Sequence, residues 1–279
     1  MYPHATLDAT RPECPNVYIG LVMLKLDYMP GKRDIATRRE LADTSVPGAA
    51  PGGTSTVAPA LSSVAQDYLK VIWTAQEWGH DKKVSTKLLA ERIGVSASTV
   101  SEAVRKLADQ GLVEHARYGA ITLTPEGRRV AVAMVRRHRL IETFLVNVLG
   151  YGWDEVHDEA EILEHAVSEL LMERIDAKLG YPDRDPHGDP IPSVDGAVPT
   201  PPARQLIDFT AGESGWVARI SDADPDMLRY FDSVGIALDT AITVIERRDF
   251  AGTIAIRIGT TDAATDLGCP AAEAIWLRT

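Results

Sequence analysis

A run of nine residues carries four side chains that could bind metal ions. It reads His157-Asp-Glu-Ala-Glu161-Ile-Leu-Glu164-His165. Residues three and four apart lie on the same side of a helix, so this spacing brings two imidazoles and two carboxylates within reach of shared ions. Divalent transition metals accept both kinds of ligand. The run therefore predicts a metal site on one face of a helix.

A second pair, His138 and Glu142, repeats the four-residue spacing earlier in the chain. Any one of these residues alone is typical of a solvated helix face. Several carboxylates together on a helix that must pack would repel one another unless a cation or protons relieved the repulsion. Taken together, the two runs favour bound metal.

Upstream of these ligands, the apolar spacing predicts a DNA-binding helix-turn-helix with a wing. A first helix starts near Leu61, with Ser62 or Ser63 as N-cap. A Gly and a Ser between two short helices are what a helix-turn-helix needs. The predicted parts are a helix at Ser85–Ile93, a turn at 94–96, a helix at Ala97–Gln110, and strands at Leu112–His115 and Ala120–Leu123.

A recognition helix placed in the major groove would present polar side chains to base edges and phosphates. The candidate DNA-binding residues are Lys87, Ser96, Ser98, Thr99, Ser101, Glu102, Lys106 and Arg117. A helical protein-interaction domain is the alternative that the pattern leaves open. Because the metal ligands follow directly, a metal-sensing transcription regulator is the leading hypothesis.

The remaining pattern predicts a mainly α chain with a small β domain. Thr124-Pro125 opens a long helix to about Leu149, and a second long helix spans about Asp154–Leu179. Four stretches near the C-terminus alternate apolar and polar residues, which favours an SH3-like barrel. They are Gly215–Ile220, Ala241–Glu246, Thr253–Ile258 and Ala274–Arg278.

We therefore predict three domains and two connecting segments. The ranges are a disordered extension and linker at 1–60, a winged helix-turn-helix domain at 61–127, a metal-binding and dimerisation domain at 128–180, a Pro-rich linker at 181–203 and the SH3-like domain at 204–279.

The formal net charge of −11 argues at first against a DNA-binding protein. The charge is unevenly distributed, however. Residues 61–126 hold eight basic and eight acidic side chains, whereas residues from 151 onward hold ten basic and twenty-five acidic ones. The acidic excess thus belongs to the metal-ligand and C-terminal parts, where divalent cations would offset it.

Cysteine content and hydropathy restrict the class of protein further. Cys14 and Cys269 are the only two cysteines, so neither a disulfide framework nor a thiolate zinc site is available. The apolar run Val17–Leu24 is too short to span a bilayer, and no signal peptide precedes it. We expect a cytoplasmic protein without a membrane partner.

Six stretches, taken in order, resemble the diphtheria-toxin-repressor and manganese-transport-regulator family of metal-dependent repressors. The resemblance covers Leu61 to about Asp195. The stretches are Asp67-Tyr-Leu, Val95-Ser-Ala-Ser-Thr-Val-Ser, Ile121-Thr-Leu-Thr-Pro-Glu-Gly, Arg137-His-Arg-Leu-Ile-Glu142, Val156 to His165, and His187-Gly-Asp-Pro-Ile-Pro-Ser-Val-Asp195.

The resemblance implies two metal sites in a DNA-binding homodimer. It assigns a primary site to Asp67, Glu161, Glu164 and His165. It assigns an ancillary site to His138, Glu142 and His157, with Asp222 of the SH3-like domain as the candidate for a last ligand. Metal would then tie the first helix to the second long helix and fix the spacing of two recognition helices on operator DNA.

Two departures from the family patterns bear on the metal. Iron-responsive members place sulfur ligands where this chain has Asp67 and Glu161, and carboxylates favour a harder ion such as Mn²⁺. The short manganese regulators carry an acid where this chain has Lys70, so we expect one primary site and a separate ancillary one. The prediction is a Mn²⁺-responsive repressor of metal-uptake genes, with an Fe²⁺-responsive repressor as the alternative.

Two other hypotheses remain. Glu161-Ile-Leu-Glu164-His165 differs by one residue from the His-x-x-Glu-His arrangement of zinc proteases, which keeps a metal-dependent hydrolase open, although we predict that the chain is not an enzyme. The ligands could also be structural, in a winged-helix regulator that responds to another signal.

Overall fold

The computed structural model describes residues 61–77, 83–115, 120–199, 201–261 and 263–279. The predicted extension and linker at 1–60 lie outside the described residues, as does Arg117. Three clusters of buried apolar side chains organise the described part: one in the N-terminal helices and wing, one in the middle helices and one in the C-terminal domain.

The first three helices form the predicted helix-turn-helix. They are α1 (Ser63–Glu77), α2 (Thr86–Ile93) and α3 (Ala97–Asp109). The side chain of Ser85 accepts a hydrogen bond from the amide of Leu88, and that of Ser96 accepts one from Thr99, so each short helix starts at a serine N-cap. Gly94 ends α2 at φ 73°, a conformation that favours glycine.

The wing is an antiparallel pair of short strands, β1 (Val113–His115) and β2 (Ile121–Leu123), in which Glu114 pairs with Thr122. The amide of Ile121 also donates to the carbonyl of Val84, just before α2. These contacts hold the wing against the helix-turn-helix.

Helix α4 (Pro125–Phe144) continues through a π-helical turn at Leu145–Leu149 and ends at Gly150, close to the predicted end. Its N-cap is Thr124, whose side chain accepts from the amide of Gly127, with proline in the first turn as predicted. Helix α1 packs along α4, so side chains of α1 can reach the groups that α4 presents.

The prediction of one helix over 154–179 is wrong, because the chain breaks there into α5 (Val156–Leu163) and α6 (Glu169–Leu179). Ser168 is the N-cap of α6 and accepts from the amide of Leu171 at 3.2 Å, so its side chain stabilises a new helix start. The break shifts the helical phase. Leu170 and Leu171, near the start of α6, are 62% and 47% exposed.

The segment predicted as a Pro-rich linker, 181–203, packs between domains in its first half. Asp185, His187, Asp189 and Ile191 are buried, and the amide of Ile220 donates to the carbonyl of His187. A Cβ on Gly188 would lie 2.1 Å from the carbonyl oxygen of Ala218, so the close approach of the two backbones requires glycine. Residues 185–191 are therefore part of the folded core rather than a free connection.

The C-terminal domain is a six-stranded antiparallel sheet with the strand order β3-β8-β4-β5-β6-β7. The strands are β3 (Arg204–Gln205), β4 (Ser214–Ile220), β5 (Ala241–Arg248), β6 (Thr253–Ile258), β7 (Ala264–Gly268) and β8 (Ile275–Arg278). Two helices, α7 (Pro225–Ser233) and α8 (Cys269–Glu273), accompany the sheet. The four predicted strands are present, whereas β3, β7 and both helices were not predicted.

Among the described residues, no helix is both long enough and apolar enough to cross a membrane.

Candidate metal centre

The first group of candidate ligands joins α1 to the turn after α5. Nε2 of His165 lies 2.8 Å from Oδ1 of Asp67, and Nδ1 of the same ring lies 2.9 Å from Oε1 of Gln66. Glu164 is fully buried beside them, with Oε1 3.5 Å from Nε2 of His165. Ligand atoms of Asp67, Glu164 and His165 all lie within 4.8 Å of one another.

We call Asp67, Glu161, Glu164 and His165 the α1 cluster. Oε1 of its fourth member, Glu161, lies 3.6 Å from Nε2 of His157 and 3.8 Å from Nδ1 of His138. Glu161 groups with His138 and Glu164 within the same 4.8 Å limit. The structure therefore brings the four predicted residues into one region, although three of them converge most closely.

Lys70 already supplies a positive charge to this region. Its ammonium nitrogen lies 2.6 Å from Oε1 of Glu161 and 2.6 Å from Oε1 of Glu164, and the side chain is 8% exposed. The two carboxylates raise the pKa of Lys70 although burial alone would lower it. The charge of the carboxylates is thus partly neutralised by the chain itself.

The second group, which we call the Asp222 cluster, consists of His138, Glu142, His157 and Asp222. Oε1 of Glu142 lies 2.9 Å from Nε2 of His138 and 3.3 Å from Nδ1 of His157. Nδ1 of His157 is also 3.2 Å from Oδ2 of Asp222, which follows strand β4. Asp222 thus lies beside the other three residues of the predicted ancillary site, and its role as a ligand remains a prediction.

The two clusters are connected through one imidazole. Nδ1 of His138 lies 2.7 Å from Oε2 of Glu164 in the α1 cluster, while its Nε2 faces Glu142 in the Asp222 cluster. His138 is 8% exposed, and Glu142 and Glu164 are almost completely buried. An ion bound in one cluster would change the charge that the other experiences.

The two imidazoles of the Asp222 cluster favour their protonated forms when no metal is bound. Burial alone would lower the pKa of His138, but Glu142 and Glu164 raise it to about 9. Burial opposes the charged form of His157 as well, and Asp222 and Glu142 raise its pKa to about 11. The pKa of Asp222 is well below its usual value, because His157 and His187 outweigh the effect of burial. A divalent ion here would replace imidazole protons.

A third group, which we call the His187 cluster, was not predicted. It consists of Glu142, Asp185 and His187, all buried. Nε2 of His187 lies 2.7 Å from the carbonyl oxygen of Trp153, while its buried Nδ1 has no hydrogen-bond partner among the described residues. Metal-binding imidazoles commonly make such a backbone bond with one nitrogen and bind the ion with the other.

The sequence alone does not bring the residues of this group together. Asp185 and His187 lie two residues apart in a segment that we interpreted as linker from its prolines. Pro190 and Ile191, which follow the pair, are buried as well, and the segment packs with the pair beside Glu142. Only the packing of that segment, which composition does not reveal, makes these side chains candidate ligands.

All three groups offer nitrogen and carboxylate oxygen, with no sulfur atom among them. Carboxylate-rich donor sets suit Mn²⁺ and other relatively hard divalent ions better than they suit thiophilic ones. The buried Nδ1 of His187 and the converging carboxylates fit a bound cation. The residues present thus fit a divalent metal.

The arrangement argues against the zinc-protease alternative. Such a site places its ligands and its general base on one continuous helix. Here α5 ends at Leu163, and Glu164 and His165 lie in the turn that follows. Glu164 also faces Lys70 and His138 instead of open solvent.

The predicted DNA-binding side chains on α2 and α3 are exposed. Ser96 caps α3, and its Oγ lies 2.8 Å from the hydroxyls of Ser98 and Thr99. Ser101 donates to the carbonyl of Ala97, four residues earlier. Lys106 pairs with Glu102 and Lys87 pairs with Glu91. DNA contact by these residues remains a prediction.

Models of known protein families match this chain in segments that correspond to its DNA-binding and metal-binding parts. The sequence model of the iron-dependent repressor N-terminal DNA-binding domain matches residues 60–121, and that of the iron-dependent repressor metal-binding and dimerisation domain matches residues 124–193. The iron-dependent repressor IdeR of Mycobacterium tuberculosis strain H37Rv is 33% identical over 186 residues, which cover 80% of its length and 58% of this chain. This chain belongs to the iron-dependent repressor family.

Other members of the family extend the match. The diphtheria toxin repressor of Corynebacterium efficiens is 31% identical over 198 residues, covering 67% of this chain and 85% of the relative. Residues 204–279 match the FeoA domain, in agreement with the predicted SH3-like domain. The predicted fold class and the function of a metal-dependent, DNA-binding transcriptional repressor are thereby confirmed.

Two solved structures of the family are similar to this chain. A manganese-dependent transcriptional repressor in complex with manganese is 71% identical, with a TM-score of 0.73, and the match covers 76% of this chain and 98% of that one. The manganese regulator SloR is 34% identical, with a TM-score of 0.66, and the match covers 77% of this chain and 97% of that one.

Proposed function

We propose that this chain is a Mn²⁺-activated repressor that binds operator DNA as a homodimer and controls genes for metal-ion uptake. The observation that carries the proposal is the contact of 2.8 Å between Asp67 of α1 and His165. It joins the helix-turn-helix domain to the domain that holds the other ligands. An ion shared by these two side chains would fix the position of one domain on the other.

The choice of Mn²⁺ rests on the donor atoms. The α1 cluster consists of three carboxylates and one imidazole, and the same kinds of atom form the Asp222 and His187 clusters. Solved relatives with manganese in their names support this choice, whereas curated relatives are named for iron. Fe²⁺ accepts similar ligands, so it is the competing activator that a metal titration must include.

Dimer formation is supported by apolar side chains that the single chain leaves exposed. Val148, Leu149, Ile162, Leu170 and Leu171 are each between 42% and 69% exposed, and all lie in the region that matches the dimerisation domain. Contiguous exposed apolar side chains are typical of interaction surfaces. We propose that a second copy of this chain covers them.

Operator binding would follow from the fixed geometry of this dimer. Helix α3 exposes its serines and Lys106, and α1 packs along α4, which runs into the proposed dimer interface. Two recognition helices bind one operator when their separation matches successive major grooves, roughly 34 Å apart. We propose that metal binding through Asp67 selects that separation.

The test is operator binding by the full chain to DNA from its own upstream region. Fluorescence anisotropy is measured without oxygen after chelation and then with Mn²⁺, Fe²⁺ or Zn²⁺ added singly, against a scrambled duplex as the control. We expect Mn²⁺ to restore sequence-specific binding at the lowest free-ion concentration. Specific binding that survives chelation would contradict the proposal, and tighter activation by Fe²⁺ would replace its choice of ion.

A further inference from the structure

A buried set of alternating charges runs from the C-terminal domain to the end of α1. It consists of Arg219, Asp189, Arg139 and Glu77, which we call the charge chain. The four side chains are between 5% and 10% exposed. They belong to β4, the 185–191 segment, α4 and α1 respectively.

Arg139 is the centre of the charge chain. Its guanidinium donates to both carboxylate oxygens of Glu77, at 3.0 and 2.6 Å, and to the carbonyl oxygen of Pro190 at 2.6 Å. Its Nη2 is 3.4 Å from Oδ1 of Asp189, and its Nε is 3.7 Å from Oδ2 of Asp185. One side chain thus joins the last residue of α1 to the segment that carries the His187 cluster.

Arg219 extends these contacts into the C-terminal domain. Its Nε donates to Oδ1 of Asp189 at 2.7 Å, and its guanidinium lies 4.3 Å from the ring centroid of Trp276. Arg219 is three residues from Asp222, which contacts His157 in the Asp222 cluster. When Asp222 contacts His157, Arg219 is therefore also positioned to contact Asp189 at the end of the charge chain.

Buried ion pairs of this kind contribute more to fixing one geometry than to raising stability. Each charge loses its hydration, so the pairs hold only while every partner stays in place. In the charge chain, the four partners come from four different elements of the molecule. A displacement of β4 would leave Asp189 without its hydrogen bond from Arg219, and the loss would extend through Arg139 to Glu77.

We propose that the charge chain couples the C-terminal domain to α1, so that seating of Asp222 helps to set the position of the helix-turn-helix. Glu77, Arg139, Asp189 and Arg219 act as positioning residues that touch neither DNA nor the proposed ion at Asp67. The inference rests on the proposed function, since it requires metal-dependent operator binding. It assigns to the C-terminal domain a share in the metal response.

A double-mutant cycle on the two ends of the charge chain tests this inference. The single variants are Glu77→Gln and Arg219→Gln, compared with the double variant and with the wild-type full chain. The Mn²⁺ concentration at half-maximal operator binding is measured for each, together with Mn²⁺ binding by calorimetry and thermal unfolding without metal. Arg248→Gln, which removes the surface pairs of Arg248 with Glu246 and Asp266, is the matched control.

We expect each single variant to raise the Mn²⁺ midpoint about fivefold or more, the range that allosteric coupling covers. The double variant should raise the Mn²⁺ midpoint no further than the worse single variant. Either single substitution already interrupts the coupling, so the second has nothing left to remove. Distant sites that act independently would instead show multiplied effects. Multiplied effects, or unchanged midpoints, would overturn the inference.

Two further measurements separate coupling from a loss of folding. Asp189→Asn keeps the shape of the side chain while removing its charge. If Arg219→Gln fails to fold, Asp189→Asn takes its place and should show the same rise in the Mn²⁺ midpoint. A lowered melting temperature with an unchanged midpoint would show a purely structural role and refute the inference. If the wild-type chain itself binds DNA without metal, it is the proposed function that fails.

Discussion

The ammonium group of Lys70 lies 2.6 Å from Oε1 of Glu164, and both side chains are buried. The same nitrogen contacts Glu161 at 2.6 Å, so a residue of α1 bridges the two glutamates of the α1 cluster. A divalent ion bound to these carboxylates must share them with the ammonium group or displace it. Lys70 is therefore a counter-ion to both glutamates, and we expect it to compete with a bound metal ion.

We predict that Lys70→Met weakens the metal-free fold and strengthens Mn²⁺ binding. Breaking a buried ion pair by removing one partner costs about 3 kcal/mol in the free energy of unfolding. The freed carboxylates then attract Mn²⁺ without competition. Thermal unfolding with and without Mn²⁺, combined with calorimetric titration, measures both effects.

Lys106→Met is the matched control for that change, because Lys106 forms an exposed pair with Glu102 at 2.8 Å. Exposed pairs contribute little to stability, so neither unfolding nor Mn²⁺ affinity should change measurably. Equal or weaker Mn²⁺ affinity in Lys70→Met would show that the ammonium group does not compete with the ion.

We predict opposite pH dependences for the stability of the metal-free protein and for Mn²⁺ binding. Although burial opposes the charged ring, Glu142 and Glu164 raise the pKa of His138 from 6.5 to about 9. The stability from this imidazolium is complete below pH 6.5 and is lost as pH rises through about 9. Mn²⁺ needs the neutral ring, so its affinity should rise over the same interval.

Thermal unfolding and Mn²⁺ titration in the same series of buffers measure the two trends. The variant His138→Gln should weaken both trends, because one of the titrating rings of the Asp222 cluster is gone while His157 remains. Mn²⁺ affinity that stays constant between pH 6.5 and about 9 would exclude proton release from His138 on binding.

Three helix starts were predicted correctly from the capping residue beside each of them. Ser85, Ser96 and Thr124 each cap the helix that was expected to follow, because N-cap chemistry depends only on neighbouring residues. The break before α6 was missed, although Ser168 is a good N-cap, because the apolar periodicity on both sides of it suggested one helix. Helix α7 was also missed, despite Asp224-Pro225 at its start.

Local signals likewise predict only some of the side chains at the candidate metal centre. Spacing within one helix was enough to pair His138 with Glu142, and the family resemblance was needed to add Asp67 and Asp222. The contacts of Lys70, Asp185 and His187 depend on which segments pack together at a distance in sequence. Neither spacing nor composition shows which distant segments pack together. Only the structure therefore places these three side chains at the candidate metal centre.

We predict that Leu170→Glu prevents dimer formation. The side chain is 62% exposed in the single chain, and a carboxylate placed in an apolar interface would have to be desolvated without a partner. Sedimentation velocity should show a monomer that still binds Mn²⁺ but has lost most of its affinity for operator DNA.

Val64→Glu provides the comparison, since Val64 is 58% exposed but lies on α1, outside the region that matches the dimerisation domain. This variant should remain dimeric. A stable dimer of Leu170→Glu would place the interface elsewhere on the molecule.

We predict that Lys106→Gln weakens operator binding at every sequence and reduces its salt dependence. Each phosphate contact contributes about 0.9 to the slope of log affinity against log salt concentration. Anisotropy titrations over a range of salt concentrations measure that slope. Lys178→Gln, at the exposed end of α6, should leave it unchanged, and an unchanged slope for Lys106→Gln would remove this residue from the DNA interface.

Mn²⁺-dependent operator binding by Asp67→Ala tests most directly whether Asp67 carries the metal response. Asp67 connects α1 to His165 at 2.8 Å, and the variant removes its carboxylate while leaving the Gln66 contact in place. Asp158→Ala, an exposed acid on α5, is the control and should behave as wild type. We predict that Asp67→Ala folds normally but that Mn²⁺ no longer stimulates its binding to operator DNA. If Mn²⁺ stimulates operator binding of this variant as it does for the wild-type chain, Asp67 does not carry the metal response.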